Sequence, residues 1–106
     1  MVALVLSQKS FGGHEQLVAQ VPRLRIEGGP ITFLRLLVDR SLTPRSTFER
    51  GPVPGFAGVY GVEGLASGTL LVWVKDGYLS ALEYAWVTDE APDRLPEASQ
   101  VRLEGT

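Results

Sequence analysis

The chain has 106 residues, with ten Lys or Arg against twelve Asp or Glu, one histidine and no cysteine. The missing thiols exclude disulfides, thiolate nucleophiles, iron–sulfur clusters and sulfur-ligated zinc, and point to a reducing compartment, the cytoplasm. At 44% hydrophobic and 21% charged residues, the composition is that of one soluble domain over 1–106 whose core needs no staple.

The first elements are helical. Met1 to Lys9 reads as a short turn-rich segment, and His14 to Val21 as a helix, with Gly12-Gly13 between them. Leu17, Val18 and Val21 form one apolar stripe, and Pro22 ends the helix because proline disfavours helix in the residue before it. The apolar run Val2 to Leu6 has five residues and no preceding positive charge, so no export signal is expected, and no stretch nears the roughly 20 apolar residues of a membrane span.

Arg23 to Glu27 alternates polar and apolar residues with period two, the pattern of a strand with one wet face. Gly28-Gly29-Pro30 turns the chain, and Ile31 to Asp39 reads as a second strand buried more heavily near its end, with a short helix as the alternative. Ser41 to Gly55 carries three prolines and two glycines among polar residues and is expected to be a long irregular connection. Ala57 to Glu63 adds a strand.

The strongest local signal is the hairpin Gly68–Lys75, Asp76-Gly77, Tyr78–Val87, because a type I′ turn needs positive φ at both central positions. An uninterrupted two-residue hairpin sets Lys75 opposite Tyr78, Trp73 opposite Ser80, Leu71 opposite Leu82 and Thr69 opposite Tyr84, with Trp86 on the same side. Glu83 then falls on the other side, with Val72, Val74, Leu79 and Ala81. Both faces are largely apolar, so either both are covered or one takes a partner. Gln100 to Leu103 pairs at an edge or trails. The expected fold is α+β: four or five antiparallel strands with one or two short N-terminal helices on one face.

Little catalytic chemistry is available. His14 is the only histidine and no Gly-x-Ser-x-Gly elbow exists, so a Ser-His-Asp triad and a histidine metal site both lack partners, and His14 is read as exposed or capping. Neither Gly12-Gly13 nor Gly28-Gly29 belongs to a phosphate-binding loop. No metal, cofactor or catalytic residue is assigned. Glu83 is the carboxylate of interest. On an apolar face it must be paired or protonated, either as a general acid or base or, more simply, as the ion-pair partner of Arg35 or Arg25. Trp73, Tyr78, Tyr84 and Trp86 are either core or a binding surface, since Trp and Tyr dominate interface hot spots.

Charge is uneven. Residues 1–50 hold seven Lys/Arg and four Asp/Glu, and residues 51–106 hold three and eight. The basic residues stand singly, which argues against nucleic acid, and Asp89 to Asp93 reads as a solvated loop.

The block Asp76-Gly-Tyr-Leu-Ser-Ala-Leu-Glu-Tyr84, within residues 68 to about 103, resembles the ending of a group of small hypothetical proteins of actinobacteria, and the part from Gln16 to Ile26 resembles them more loosely. Relatives often carry a Gly/Cys-rich stretch after the first strand, where this chain has Glu27-Gly-Gly-Pro-Ile31. The resemblance implies a free-standing bacterial cytosolic domain and no substrate. The expected function is a non-enzymatic protein-interaction domain of inhibitor or immunity type. Its partner is another protein or a second copy, with Trp73, Tyr78, Glu83, Tyr84 and Trp86 as candidate binding residues. The alternative is a small-molecule binder or hydrolase with Glu83 in a pocket beside loop 41–55.

Overall fold

The computed structural model describes residues 1–7, 10–61 and 64–104. Helix α1, Val2–Leu6, turns Val2, Val5 and Leu6 into the core. Helix α2, His14–Gln20, starts after Gly13, whose φ of +88° lies in the left-handed region and whose missing Cβ leaves room for Ser46 and the Phe48 amide. A single 3₁₀ turn, Val21–Arg23, carries Pro22 and leads into the sheet, so the proline sits just beyond the α-helix. The expected stripe is altered. Leu17 is fully buried, Val18 is 45% exposed, and the polar Gln20 takes the inward position one turn on from Leu17.

Seven strands form one sheet: β1 Leu24–Gly28, β2 Phe33–Val38, β3 Gly51–Pro52, β4 Phe56–Tyr60, β5 Ala66–Lys75, β6 Tyr78–Trp86 and β7 Val101–Glu104. The order is β1-β2-β6-β5-β4-β7, with β3 pairing the turn-proximal half of β5, and every pairing is antiparallel. The architecture is α+β as expected, but four or five strands was too few. The additions are the two-residue bridge β3, inside a connection read as irregular, and β7, which pairs with β4 along its length. Residues 62 and 63 of the expected strand 57–63, and Gln8 and Lys9 of the N-terminal segment, lie outside the described residues.

The hairpin turn is as read. Asp76 and Gly77 have φ of 54° and 81°, the left-handed pair that a type I′ turn requires. Beyond the turn, the register departs from the uninterrupted ladder. Lys75 pairs Tyr78 and Val74 pairs Leu79, but Trp73 pairs Ala81, because Ser80 is an extra residue in β6. This β-bulge is fixed by the Ser80 hydroxyl donating to the Trp73 carbonyl at 3.1 Å. With a side-chain period of two, one extra residue exchanges the faces of everything after it. Tyr84 and Leu82 therefore enter the core at 6% and 2% exposure, and Glu83 leaves it.

All core elements lie on one side of the sheet. Val2, Val5, Leu6 and Leu17 from the helices pack on Leu36, Val38, Leu70, Val72, Val74, Leu79, Leu82 and Tyr84. Val53 and Phe48 of the 41–55 connection join the same cluster. Strand β2 shows the resulting asymmetry: Leu34, Leu36 and Val38 are buried while Phe33, Arg35 and Leu37 are exposed, a strict alternation rather than burial concentrated at its end. Among the described residues, no helix is long and apolar enough to cross a membrane.

Candidate functional site: the outer face of the sheet

The face opposite the helices is built from alternate residues of the central strands. Across it runs a row of paired residues, Phe33, Glu83 and Leu71, from β2, β6 and β5. Next to it on the same face, two residues nearer the turn, runs the row Arg35, Ala81 and Trp73. Leu37 of β2 continues the face toward the turn, opposite Arg25 of β1, and Pro52 adjoins Trp73. Phe33 and Leu37 are 42% and 38% exposed, while Leu71, Trp73 and Glu83 are half-buried among their neighbours. Of the two arrangements the apolar hairpin allowed, the chain thus has one covered face and one open face.

Glu83 is held by tryptophan, not arginine. The indole Nε1 of Trp73 donates to its Oε1 at 3.0 Å, a charge-assisted bond between side chains on the same face of neighbouring strands. The expected ion pair with Arg35 or Arg25 is not formed; among the described residues the one salt bridge joins Arg94 to Asp93 at 3.6 Å. Arg35 turns the other way and lies over the backbone of Gly28 and Gly29, where a Cβ on Gly28 would meet its guanidinium. The glycine pair that turns the chain also gives this arginine its seat.

The four aromatic candidates do not form one surface. Trp73 lies on the outer face, and Tyr84 is in the core, where burial pushes its phenol above the ordinary tyrosine range and the Ser67 hydroxyl partly opposes the shift. Tyr78 stacks beneath the Arg40 guanidinium, 4.5 Å from its ring centre. Trp86 lies at the far end of β6, opposite Gly68, and is 42% exposed. The bulge at Ser80 is the physical reason for this dispersal.

His14 and Gln20 are committed structurally. His14 donates from Nε2 to the carbonyl of Leu6 at 2.6 Å, which satisfies a carbonyl of the last turn of α1, and its ring meets Phe11 edge-on. Gln20, with no exposed surface, donates to the carbonyls of Pro44 and Gly77 and accepts from the Leu79 amide, each at 2.9 Å. Among the described residues, no three His, Asp or Glu side chains gather as metal ligands.

The composition-based reading missed a basic corner beside the outer face. Arg23, Arg25 and Arg40 line a cleft of about 430 Å³ with Leu37, Val38 and Asp39. The Asp39 carboxyl is held below the usual range by hydrogen bonds from the Ser41 hydroxyl and amide, with Arg23 and Arg25 adding to the effect. Arg40 is distant in sequence from Arg23 and Arg25, and the pairing of β1 with β2 brings it beside them. Two other clefts are lined by residues around Tyr60 and Arg102 and around Phe11 and His14, and none of the three is lined by Glu83.

Comparison of the chain with protein-family models, with curated proteins and with solved structures found no match.

Proposed function

We propose that this chain is a non-enzymatic protein-interaction domain of inhibitor or immunity type, working in the cytoplasm, and that its docking surface is the outer sheet face around Trp73 and Glu83. The observation that carries the reading is the face itself: Phe33 and Leu37 of β2 and Leu71 and Trp73 of β5 present apolar side chains on either side of Ala81 and Glu83 of β6, outside the core. A surface mounted on central strands is rigid before contact, so little ordering entropy opposes docking. A half-buried tryptophan whose polar atom is already satisfied is the kind of anchor that dominates interface energies. The alternative, a small-molecule pocket built on Glu83 and loop 41–55, has less support, because Phe48 and Val53 of that loop pack on the helix side and none of the three clefts is lined by Glu83.

The test is light scattering during size-exclusion chromatography of the purified protein, alone and after incubation with host lysate. A stoichiometric complex with another protein that Phe33→Glu abolishes supports the reading. A monomer with no partner in either condition overturns it, and a self-contained dimer makes the face a subunit interface.

A further inference from the structure

We infer that the partner of the outer face is an acidic protein segment, recognised at the Arg23–Arg25–Arg40 cleft; this rests on the interaction reading above. The β1–β2 register pairs Arg25 with Leu37, and Arg23, in the 3₁₀ turn just before β1, lines the same cleft as Arg25, Leu37, Asp39 and Arg40. These residues therefore share one corner of the sheet. Three arginines line the cleft with one carboxylate, and Asp39 already accepts from the Ser41 amide at 3.0 Å and its hydroxyl at 2.6 Å. The corner is locally positive in a chain of net charge −2.

Guanidinium forks match carboxylates in bidentate geometry, and Arg40 is partly pre-oriented by its stack on Tyr78. Leu37 belongs both to the cleft and to the apolar face, so the two are continuous. A segment with carboxylates at one end and apolar side chains at the other satisfies both. A nucleic-acid backbone fits less well: past Leu37 and Arg35, whose guanidinium is seated over Gly28 and Gly29, the face continues with Phe33 and the Glu83 carboxylate, which repels phosphate.

The direct test titrates the purified protein with poly-L-glutamate, with inorganic phosphate and with a single-stranded oligothymidylate, followed by amide and arginine Nε–H resonances. Poly-L-glutamate is expected to shift Arg23, Arg25, Arg40 and the amides of Leu37 to Arg40. The Arg25→Glu/Arg40→Glu variant, its fold verified by circular dichroism, is expected to weaken this binding at least tenfold. Tighter binding of the oligonucleotide, equal shifts from phosphate alone, or no shift at the cleft overturns the inference. Host lysate passed over immobilised wild-type, Phe33→Glu and charge-reversed forms separates the two readings. A protein lost with charge reversal supports the acidic partner. A protein lost only with Phe33→Glu overturns it and leaves the interaction reading intact, and binding unaffected by either substitution overturns both.

Discussion

Trp73 and Glu83 are ten residues apart on two strands of one hairpin, and the indole of the first donates to the carboxylate of the second at 3.0 Å. The contact exists because the bulge at Ser80 places both side chains on the outer face; in an uninterrupted ladder they would point to opposite sides. A carboxylate among Phe33, Leu71 and Trp73 thereby gains a donor without an arginine.

Replacing either partner should reveal this bond. Trp73→Phe and Glu83→Ala are each expected to cost about 1 kcal/mol in urea denaturation, and Glu83→Gln, which keeps an acceptor oxygen, less than about 0.5 kcal/mol. A double-mutant cycle between Trp73→Phe and Glu83→Ala should return a coupling of about 1 kcal/mol.

Gln20→Leu should be among the most damaging single changes. The shape is nearly kept, but the Leu79 amide and the Pro44 carbonyl lose their side-chain partner, while the Gly77 carbonyl retains the Ser46 amide at 2.8 Å. A loss of about 2–4 kcal/mol is expected, measured by chemical denaturation, because unsatisfied buried groups carry their full desolvation cost.

Two glycines with left-handed φ separate backbone strain from steric collision. At Gly51, with φ of +99°, an added Cβ meets nothing within 4 Å, whereas at Gly77 it meets the Ser46 carbonyl and the Arg45 side chain. Gly51→Ala should cost about 1 kcal/mol from strain alone, and Gly77→Ala more, both read from the denaturation midpoint.

Deleting Ser80 should leave the protein folded. Its removal makes Leu79 and Ala81 consecutive opposite Val74 and Trp73, so the ladder becomes regular while the existing pairs on both sides persist. The expected result is native-like dispersion in an amide spectrum with cross-strand contacts between Trp73 and Ala81 retained. Loss of those contacts would show that the bulge's twist, and not just its register, is needed.

Two groups bend the stability curve in opposite directions. The Tyr84 phenol is pushed up by burial, so the unfolded chain releases its proton first as pH rises past about 10. Its contribution is complete below that point and is lost toward the folded-state pKa, and Tyr84→Phe should flatten the alkaline limb of stability against pH. Asp39 is depressed by Ser41 and, to a lesser degree, by Arg23 and Arg25. Its contribution is present above about pH 4 and disappears as pH falls through the lowered value, which Ser41→Ala should move upward.

The hairpin, its turn, both helices and the paired strands β1 and β2 were legible because each carries a local signal: Asp76-Gly77, a helical stripe or an alternation. The β3 bridge was not, because two residues show no period of their own, and for Gln100 to Leu103 the short polar tail left edge pairing and a trailing end equally open. The face assignment failed at Ser80, since nothing in a run of strand-forming residues marks which one is surplus. The candidate site was affected accordingly: Trp73 and Glu83 were recognised but placed on opposite faces, Tyr84 proved to be core, and Phe33 was read only as part of a strand. The arginine corner was invisible to any test for sequence clustering, since Arg23 and Arg40 are brought together by strand pairing.

The three bonds of Gln20 span 24, 57 and 59 residues of chain. A single amide thus joins helix α2, the long connection and the hairpin turn, so none of them opens without breaking a bond to the others. Partial unfolding at this end of the molecule should then be a single collective event. In native-state hydrogen exchange, the Leu79 amide of the hairpin and the Leu17 amide of the helix, which bonds the Gly13 carbonyl, should share one opening free energy.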